Sequence, residues 1–536
     1  MKNLKKFTAG ILAIILLIVF FTGCSGAVGK TSITDTETTE TETTEARSNF
    51  NLIGFPIVNE KITLSAMQLL QSGSTVDFDN LPFYTELEEK TNIHIKWEVV
   101  GQADWNQKLN LMFASGDYTD MILRGDVDCD EYGANKGILI SLNDYFETYM
   151  PNYSALLKYD NITEAMPSTD GKIYYTGYMM GAGAISSGHY FINRTWLDAL
   201  DLDVPTTIDE LTDVFRAFKT KDPNGNGEND EIPYESMMLQ TVRGLNYCFS
   251  FWGIPENTLF VFVDDNNKVQ FTPYQKGYRE CIEWLNTLYR EGLIDPECIS
   301  QDNTVYTAKL NTEKCGFFTN WRLTKNGYEV LEDDFECMLP VSAEGYTPVM
   351  PRVLELGGFG AALTSTNKHI KESLRWLDAQ YETETMFRER FGVLDEHFKL
   401  NADGKYEVIV TPENLKQLVP SNEGQFFAPP TWYRNHYVFA SHHEEKAKYC
   451  DWYEPYLEKT SYNYLTSLSK MTTDEKDTLT KVQTELSKFI EEKLTAFITH
   501  GVTDDQWNNF IKTLGDLKAE EYVNLYQNAL NKYLGI

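Results

Sequence analysis

The sequence predicts an α/β protein with more than one lobe, and three observations carry that expectation. At 536 residues the chain is longer than one ordinary hydrophobic core organises. Between residues 60 and 125 candidate strands and helices alternate, the rhythm of a parallel sheet covered by helices. From Thr472 to Tyr533 the pattern is helical almost throughout, which predicts a helical C-terminal region.

The N-terminus reads as a targeting segment. Lys2, Lys5 and Lys6 precede the apolar run FTAGILAIILLIVFF and then TGCSG. That run is shorter than the roughly 20 residues a spanning helix needs, so residues 1–23 are expected to be a cleaved signal peptide. The small residues before Cys24 form a bacterial lipobox-like site, with Phe21 where leucine is usual. Cys24 is therefore expected to be lipidated with acyl chains such as palmitate and to become the mature N-terminus. Residues 24–56 are rich in Thr and Glu at their start and predict a disordered tether.

The formal charge is −32. Residues 1–23 hold three lysines and no acids, so their removal leaves −35. No basic cluster follows the N-terminus, and nucleic acid is excluded as a partner. Beyond Cys24 there are seven widely spaced cysteines, an odd number with no CxxC or zinc spacing, which predicts buried free thiols.

The elements follow in order. EKITLSAM is a strand; LPFYTELEEKTNIHIKWEVV is a helix ending near Thr91 and then a strand. In that strand Ile93, Ile95, Trp97 and Val99 take one face and His94 the solvent side. DWNQKLNLMFASGDYTDMILRG gives an amphipathic helix, a turn and a strand, and GILISLNDYFETYMPNY a strand end with a capped helix. DGKIYYTGYMM is a turn and strand, and GHYFINRTWLDAL a strand and helix. Thr207 with Glu210, and Thr472 with Glu475, have capping-box spacing. GGFGA at 357–361 reads as a strand near a hinge crossing, not a phosphate cradle, and His442 and His443 as a solvated helix face.

The stretch KDPNGNGENDEIPY follows the helix that starts at Thr207. Counted from Asp222, oxygen donors Asp222, Asn224 and Asn226 occupy positions 1, 3 and 5, and Gly227 occupies the sharp bend at position 6. Glu228 offers its carbonyl, Asp230 is at position 9, and Glu231 stands in for the position-12 carboxylate, where Pro233 sits. Such hard oxygen donors select Ca²⁺. Spacing alone also allows a solvated Asn/Gly turn.

The stretch INRTWLDALDLDVPTTIDELTDVFRAFKTKDPNGNGENDEIP resembles family 1 extracellular solute-binding proteins, particularly the large Gram-positive lipoproteins and the alginate-binding proteins. SGDYTDMI, DGKIYYTGY, STNKHIKESLRWLDAQYETE and the ending FITHGVTDDQWNNFIKTLGDLKAEEYVNLYQNALNKY resemble that family too. The resemblance implies a two-lobed periplasmic-binding-protein-like fold of type II with a hinge cleft. It places the lobes at 57–180 with 353–425 and at 181–352 with 426–536. It implies a structural Ca²⁺ on Asp222, Asn224, Asn226, the Glu228 carbonyl, Asp230 and Glu231. The implied function is capture of an oligosaccharide for the permease subunits of an ABC importer, by a monomer on the outer face of the cytoplasmic membrane.

Sugar rings stack their apolar faces on aromatics, which points to Trp252, Trp321, Trp432, Tyr175 and Tyr178 in Gly- or Pro-flanked stretches, with Asp117 and Arg322 as polar partners. Trp196, Trp284, Trp376 and Trp507 sit in helical periodicity and are expected in the core. Two other readings stay open: a secreted polysaccharide lyase or hydrolase, and a lipoprotein that hands its ligand signal to a receptor. No G-x-S-x-G, H-E-x-x-H, P-loop or Cys/His dyad context supports an enzyme.

Processing at Cys24 should be blocked by globomycin, and the mature protein should partition into a detergent phase. Cys24→Ala should abolish both; an unlipidated variant that stays in the membrane pellet would overturn the assignment.

Overall fold

Alternation of side chains along one strand decides the architecture of the first half. In the computed structural model, which describes residues 48–70, 74–157, 166–179, 188–239, 243–312, 314–320, 323, 334–352, 356–400, 402, 406–409, 418–419, 448–458 and 468–536, strand β1 (Ile62–Leu70) runs parallel to β2 (Ile93–Gly101) and β3 (Met121–Leu123). Strand β4 (Thr176–Met179) completes the direction, but it reaches β3 only through β10 (Leu356–Leu363), which is antiparallel to both. The order is β2-β1-β3-β10-β4. The sheet is therefore mixed, where sequence rhythm predicts a parallel one. The returning strand comes from residues far along the chain, which a local pattern cannot reveal.

Period-2 alternation sends Leu64, Ala66, Met121, Leu123, Ala361 and Leu363 to one face and Met67, Ile122 and Ala362 to the other, where a register shift in β10 also places Phe359. On the first face pack α1 (Pro82–Thr91), α3 (Phe146–Tyr149), α4 (Pro151–Leu156) and α9 (Ile370–Ala379), with Trp376 at the centre. On the second lies α2 (Trp105–Ser115) with the segment 127–139. Val99, expected inward with Ile93 and Ile95, is 42% exposed, because the end of the edge strand β2 outruns its helical cover.

The second core surrounds a three-stranded antiparallel sheet, β8 (Phe317–Asn320), β5 (His189–Asn193) and β9 (Phe335–Met338), in that order. Around it lie α5 (Arg194–Ala199), α6 (Ile208–Thr220), α7 (Lys276–Arg290) and α8 (Asn303–Leu310), and a hairpin of β6 (Val261–Val263) and β7 (Val269–Phe271). Both expected capping boxes form, at Thr207 and Glu210 and at Thr472 and Glu475. A third, Thr503 with Gln506, opens α12 (Asp504–Asp516). With α11 (Thr473–His500) and α13 (Ala519–Leu534) it makes the expected helical C-terminal region, which packs into the second core.

Helix α10 (Thr383–Phe391) and the hairpin β11 (Phe398–Leu400) and β12 (Tyr406–Val408) close the described part of the chain's return. Residues 50–58 form a hydrogen-bonded loop, in which the Asn51 amide donates to the Ile57 carbonyl at 2.8 Å and Phe50 bridges Val58. The folded body thus starts before residue 57, earlier than a tether over 24–56 implies. The cause is Arg375, 8% exposed, which donates to the carbonyls of Asn51 (2.8 Å) and Gly54 (3.2 Å) from more than three hundred residues away. The seven cysteines are free, six of them buried, and burial first pushes the thiols of Cys129, Cys248 and Cys298 up to about 12.

Candidate binding edge and calcium loop

Strands β1, β2, β3 and β4 point their carboxyl ends the same way, and ligands of open α/β sheets gather at that edge. The chain leaving β3 builds the edge. Arg124 takes a left-handed φ of 63° while its amide donates to the Gly360 carbonyl at 2.7 Å. Gly125 then passes under the Trp105 ring, where a Cβ would lie 2.0 Å from a ring carbon, so only glycine fits. Trp105 Nε1 donates to the Asp126 carbonyl at 3.1 Å, fixing the turn. Asp126 and Asp128 are exposed, and Asp130 opens a π-helical turn over Asp130–Asn135.

Asp130 is 5% exposed, yet both carboxylate oxygens are engaged. One accepts from the Thr169 amide at 2.7 Å; the other pairs with Lys476 of α11. Burial alone would raise this carboxyl, but the hydrogen bonds from Lys476 and Thr169 outweigh it and hold it below the usual range. Behind the turn Tyr175, half-buried, stacks on Phe359 with centroids 5.2 Å apart and planes 8° from parallel. On the second sheet, His189 faces Asn320, so the end of β8 lies where the chain arrives from β4. Arg243 donates there to Asn320 Oδ1 at 3.2 Å and to Asn303 Oδ1 at 2.5 Å, with its guanidinium 5.9 Å from the Tyr306 ring centroid.

The residues singled out in the sequence distribute unevenly. Tyr175 is at this edge. Tyr178 lies in β4, paired through its backbone with Gly358, and its side chain is outside the described residues. Trp321, Arg322 and Trp432 lie outside them too, as do His442, His443 and Cys24. Asp117 is exposed before the amino end of β3, away from the carboxyl edge. Trp252 is 6% exposed and packed against Trp284 at 5.5 Å, with Gly277 against its Cβ, so it has no open ring face. Trp196 and Trp376 are core, and Trp284 and Trp507 pack partly buried against it. Asp126 to Asp130, Trp105, Arg243 and Lys476 were missed. The position just after the MIL strand was the available signal for the acids; Lys476 carries none in its local sequence.

The loop after α6 coils inward. Asp222 accepts from the amides of Asn226 (3.1 Å) and Gly227 (3.0 Å), Asn224 Oδ1 from the Asn226 amide (3.1 Å), and Asn226 Oδ1 from the Glu228 amide (2.7 Å). Gly227 has φ +80°, the left-handed bend that favours glycine. Asp230 is bound by Lys314 at 2.7 Å and by Asn226 Nδ2 at 3.1 Å. Glu231 is 2% exposed with neither carboxylate oxygen hydrogen-bonded. An orphaned buried carboxylate beside a ring of oxygens fits a hard cation. Among the described residues no group of three or more His, Cys, Asp or Glu is placed to hold a metal, and much of this loop's donor set is amide and backbone oxygen.

Glu256 is the contrasting group. It is 2% exposed, and its polar neighbours are the hydroxyls of Thr272, which only partly offsets the burial, and Tyr278, neither of which brings positive charge. Burial pushes its carboxyl up to about 8, so it is held as a neutral acid. Two cavities, of about 530 Å³ between α1 and α10 and about 280 Å³ beside Pro223 and Asn224, are lined by no residue of the carboxyl edge.

Two α/β cores linked by chain crossings, with a polar and aromatic edge on the first sheet beside those crossings, define a two-lobed solute-binding protein. Residues 72–386 match the bacterial extracellular solute-binding proteins, and the chain belongs to that family. Over 510 residues it is 29% identical to the fructooligosaccharide ABC transporter substrate-binding protein FusA of Streptococcus pneumoniae, covering 90% of this chain and 92% of that one. The solved complex of that protein with kestose superposes with a TM-score of 0.75 at 26% identity, over 88% of this chain and 100% of the other. An EF-hand mutant of the same protein, in complex with fructo-nystose, gives 0.74 at 26%, with the same coverage. These relatives are binding proteins, not enzymes.

The unfolded chain releases the Glu256 proton near the ordinary 4.5, whereas the folded state keeps it to about 8. In that window the folded state binds more protons, so stability falls as pH rises and levels off above it. Glu256→Gln should flatten the fall, raising the melting temperature at pH 8 relative to wild type more than at pH 5; parallel curves would refute the assignment.

Proposed function

We propose that this protein captures an oligosaccharide outside the cell and delivers it to the permease subunits of an ABC importer. In this reading it is a monomer held by lipidated Cys24 on the outer face of the cytoplasmic membrane. The observation that carries the proposal is the similarity to the S. pneumoniae fructooligosaccharide-binding protein along 90% of the chain. The carboxyl edge supports it chemically. Half-buried Tyr175, backed by Phe359, supplies an apolar flank for a sugar ring, and the exposed Asp126 and Asp128 supply hydroxyl partners. Closure of the lobes excludes water around such weak contacts. Tyr178, Trp321, Arg322 and Trp432 remain proposed contacts; Asp117 and Trp252 do not, given their positions.

The lobes are proposed to divide at 180/181, 352/353 and 425/426. Core membership supports the first two boundaries, passing from the first sheet at Tyr174 to the second by Tyr190, and staying with the second through Met350 until the first resumes at Phe359, while 425/426 lies outside the described residues. The loop is proposed to hold Ca²⁺ through Asp222, Asn224, Asn226, the Glu228 carbonyl, Asp230 and Glu231. Bound calcium would neutralise the buried Glu231 and pin the end of α6.

Thermal shift and calorimetry of the mature protein against kestose, nystose, acidic oligosaccharides and peptides should show stabilisation by a glycan that is recovered intact. Shortened or unsaturated products would replace transport by catalysis, and hits confined to peptides would discard the sugar. Chelator-stripped protein should melt lower and recover with Ca²⁺, because a ligand bound only by the native state stabilises it by mass action. Asp222→Ala should abolish that recovery; a transition that calcium leaves unmoved would reduce the loop to a turn.

A further inference from the structure

The two cores carry their own anchors around one shared ion pair. Asp130 belongs to the first lobe: its π-helical turn follows β3, and its carboxylate is held at 2.7 Å by the Thr169 amide. Lys476 belongs to the second: α11 packs along α7, and Asn286 Nδ2 donates to the Ile498 carbonyl at 2.8 Å. The start of α11 is held again by its capping box and by Lys532, whose ammonium is 3.1 Å from both oxygens of Glu475. Neither partner can follow the other without its lobe moving.

We propose that the Asp130–Lys476 ion pair is a clasp between the lobes, which biases the protein toward its closed form before any ligand arrives. The pair is partly removed from water, since Asp130 is 5% exposed and the Lys476 side chain 35%. Its attraction is therefore weakly screened, and losing one partner leaves a buried charge unpaired. Asp126 and Asp128 lie on the same segment, so Lys476 approaches a locally acidic stretch of chain. When the lobes part, Asp130 keeps the Thr169 amide and meets water, so separation costs the pair alone. A clasp that pre-populates the closed form lowers the free energy a ligand must supply to close it. The inference rests on the two-lobed binding reading but on no particular sugar.

Small-angle scattering of the ligand-free mature protein tests it. Lys476→Met and Asp130→Asn should enlarge the radius of gyration, while Lys476→Arg should match wild type. Asp130→Asn keeps an oxygen for the Thr169 amide, so it guards against a variant that merely misfolds. Kestose, used as the probe, should bind Lys476→Met about tenfold more weakly than wild type, the order expected for losing a charged partner. If both charge-removing variants melt as wild type and scatter identically to it, the clasp is refuted. Expansion of those variants together with absence of kestose binding to any form would uphold the clasp and count against fructooligosaccharide as the ligand.

Discussion

The fold depends on where β10 is inserted. This strand lies between β3 and β4, antiparallel to both, yet the whole second sheet separates it from β4 along the chain. The chain must therefore leave the first sheet unfinished, build the second core, and return to complete the first. The insertion is sterically demanding. A Cβ on Gly360 would lie 2.5 Å from the Thr176 carbonyl, and the pairing with β4 shifts register on both sides of Phe359. Those shifts let Phe359 face the Tyr175 ring while Ala361 turns to the opposite core. The same insertion puts the end of β4 and the start of β10, where the chain leaves and rejoins this sheet, on the carboxyl side of its parallel strands.

A chain with 79 acidic residues against 47 basic ones has to place some carboxylates inside, and it does so in distinct ways. Asp130 is ionised against Lys476. Glu256, among hydroxyls only, is driven toward the neutral form. Glu235 is fully buried near Asp295, and burial first, then that neighbour, pushes its carboxyl up to about 9. Glu231 is buried with neither carboxylate oxygen hydrogen-bonded. Burial without a partner is costly for a charge, so each arrangement resolves the same problem with whatever the surroundings provide. A proton answers for Glu256 and Glu235, and a lysine for Asp130.

Most local structure was legible because it is written in short-range patterns. The stretches forming β1, β2 and β5 read as strands, β2 from its period-2 run, and capping boxes at Thr207 and Thr472 marked the starts of α6 and α11. The spacing of Asp222 to Glu231 specified an inward-coiling loop, because glycines and side-chain acceptors at fixed offsets act on their own backbone. Free, buried thiols followed from the number and separation of the cysteines.

What the tertiary structure decided lies where partners come from distant segments. No periodicity could say that β10 returns antiparallel, that Trp252 turns into the core while Tyr175 stays at the edge, or that Arg375 orders residues 50–58. Each of these rests on a contact beyond local sequence range, and its energy depends on shape and burial created by the whole fold. Local sequence determined which helices, strands and turns this chain can form; long-range packing alone decided which side chains meet at the edge between its two sheets, because only there does distance in space part company with distance along the chain.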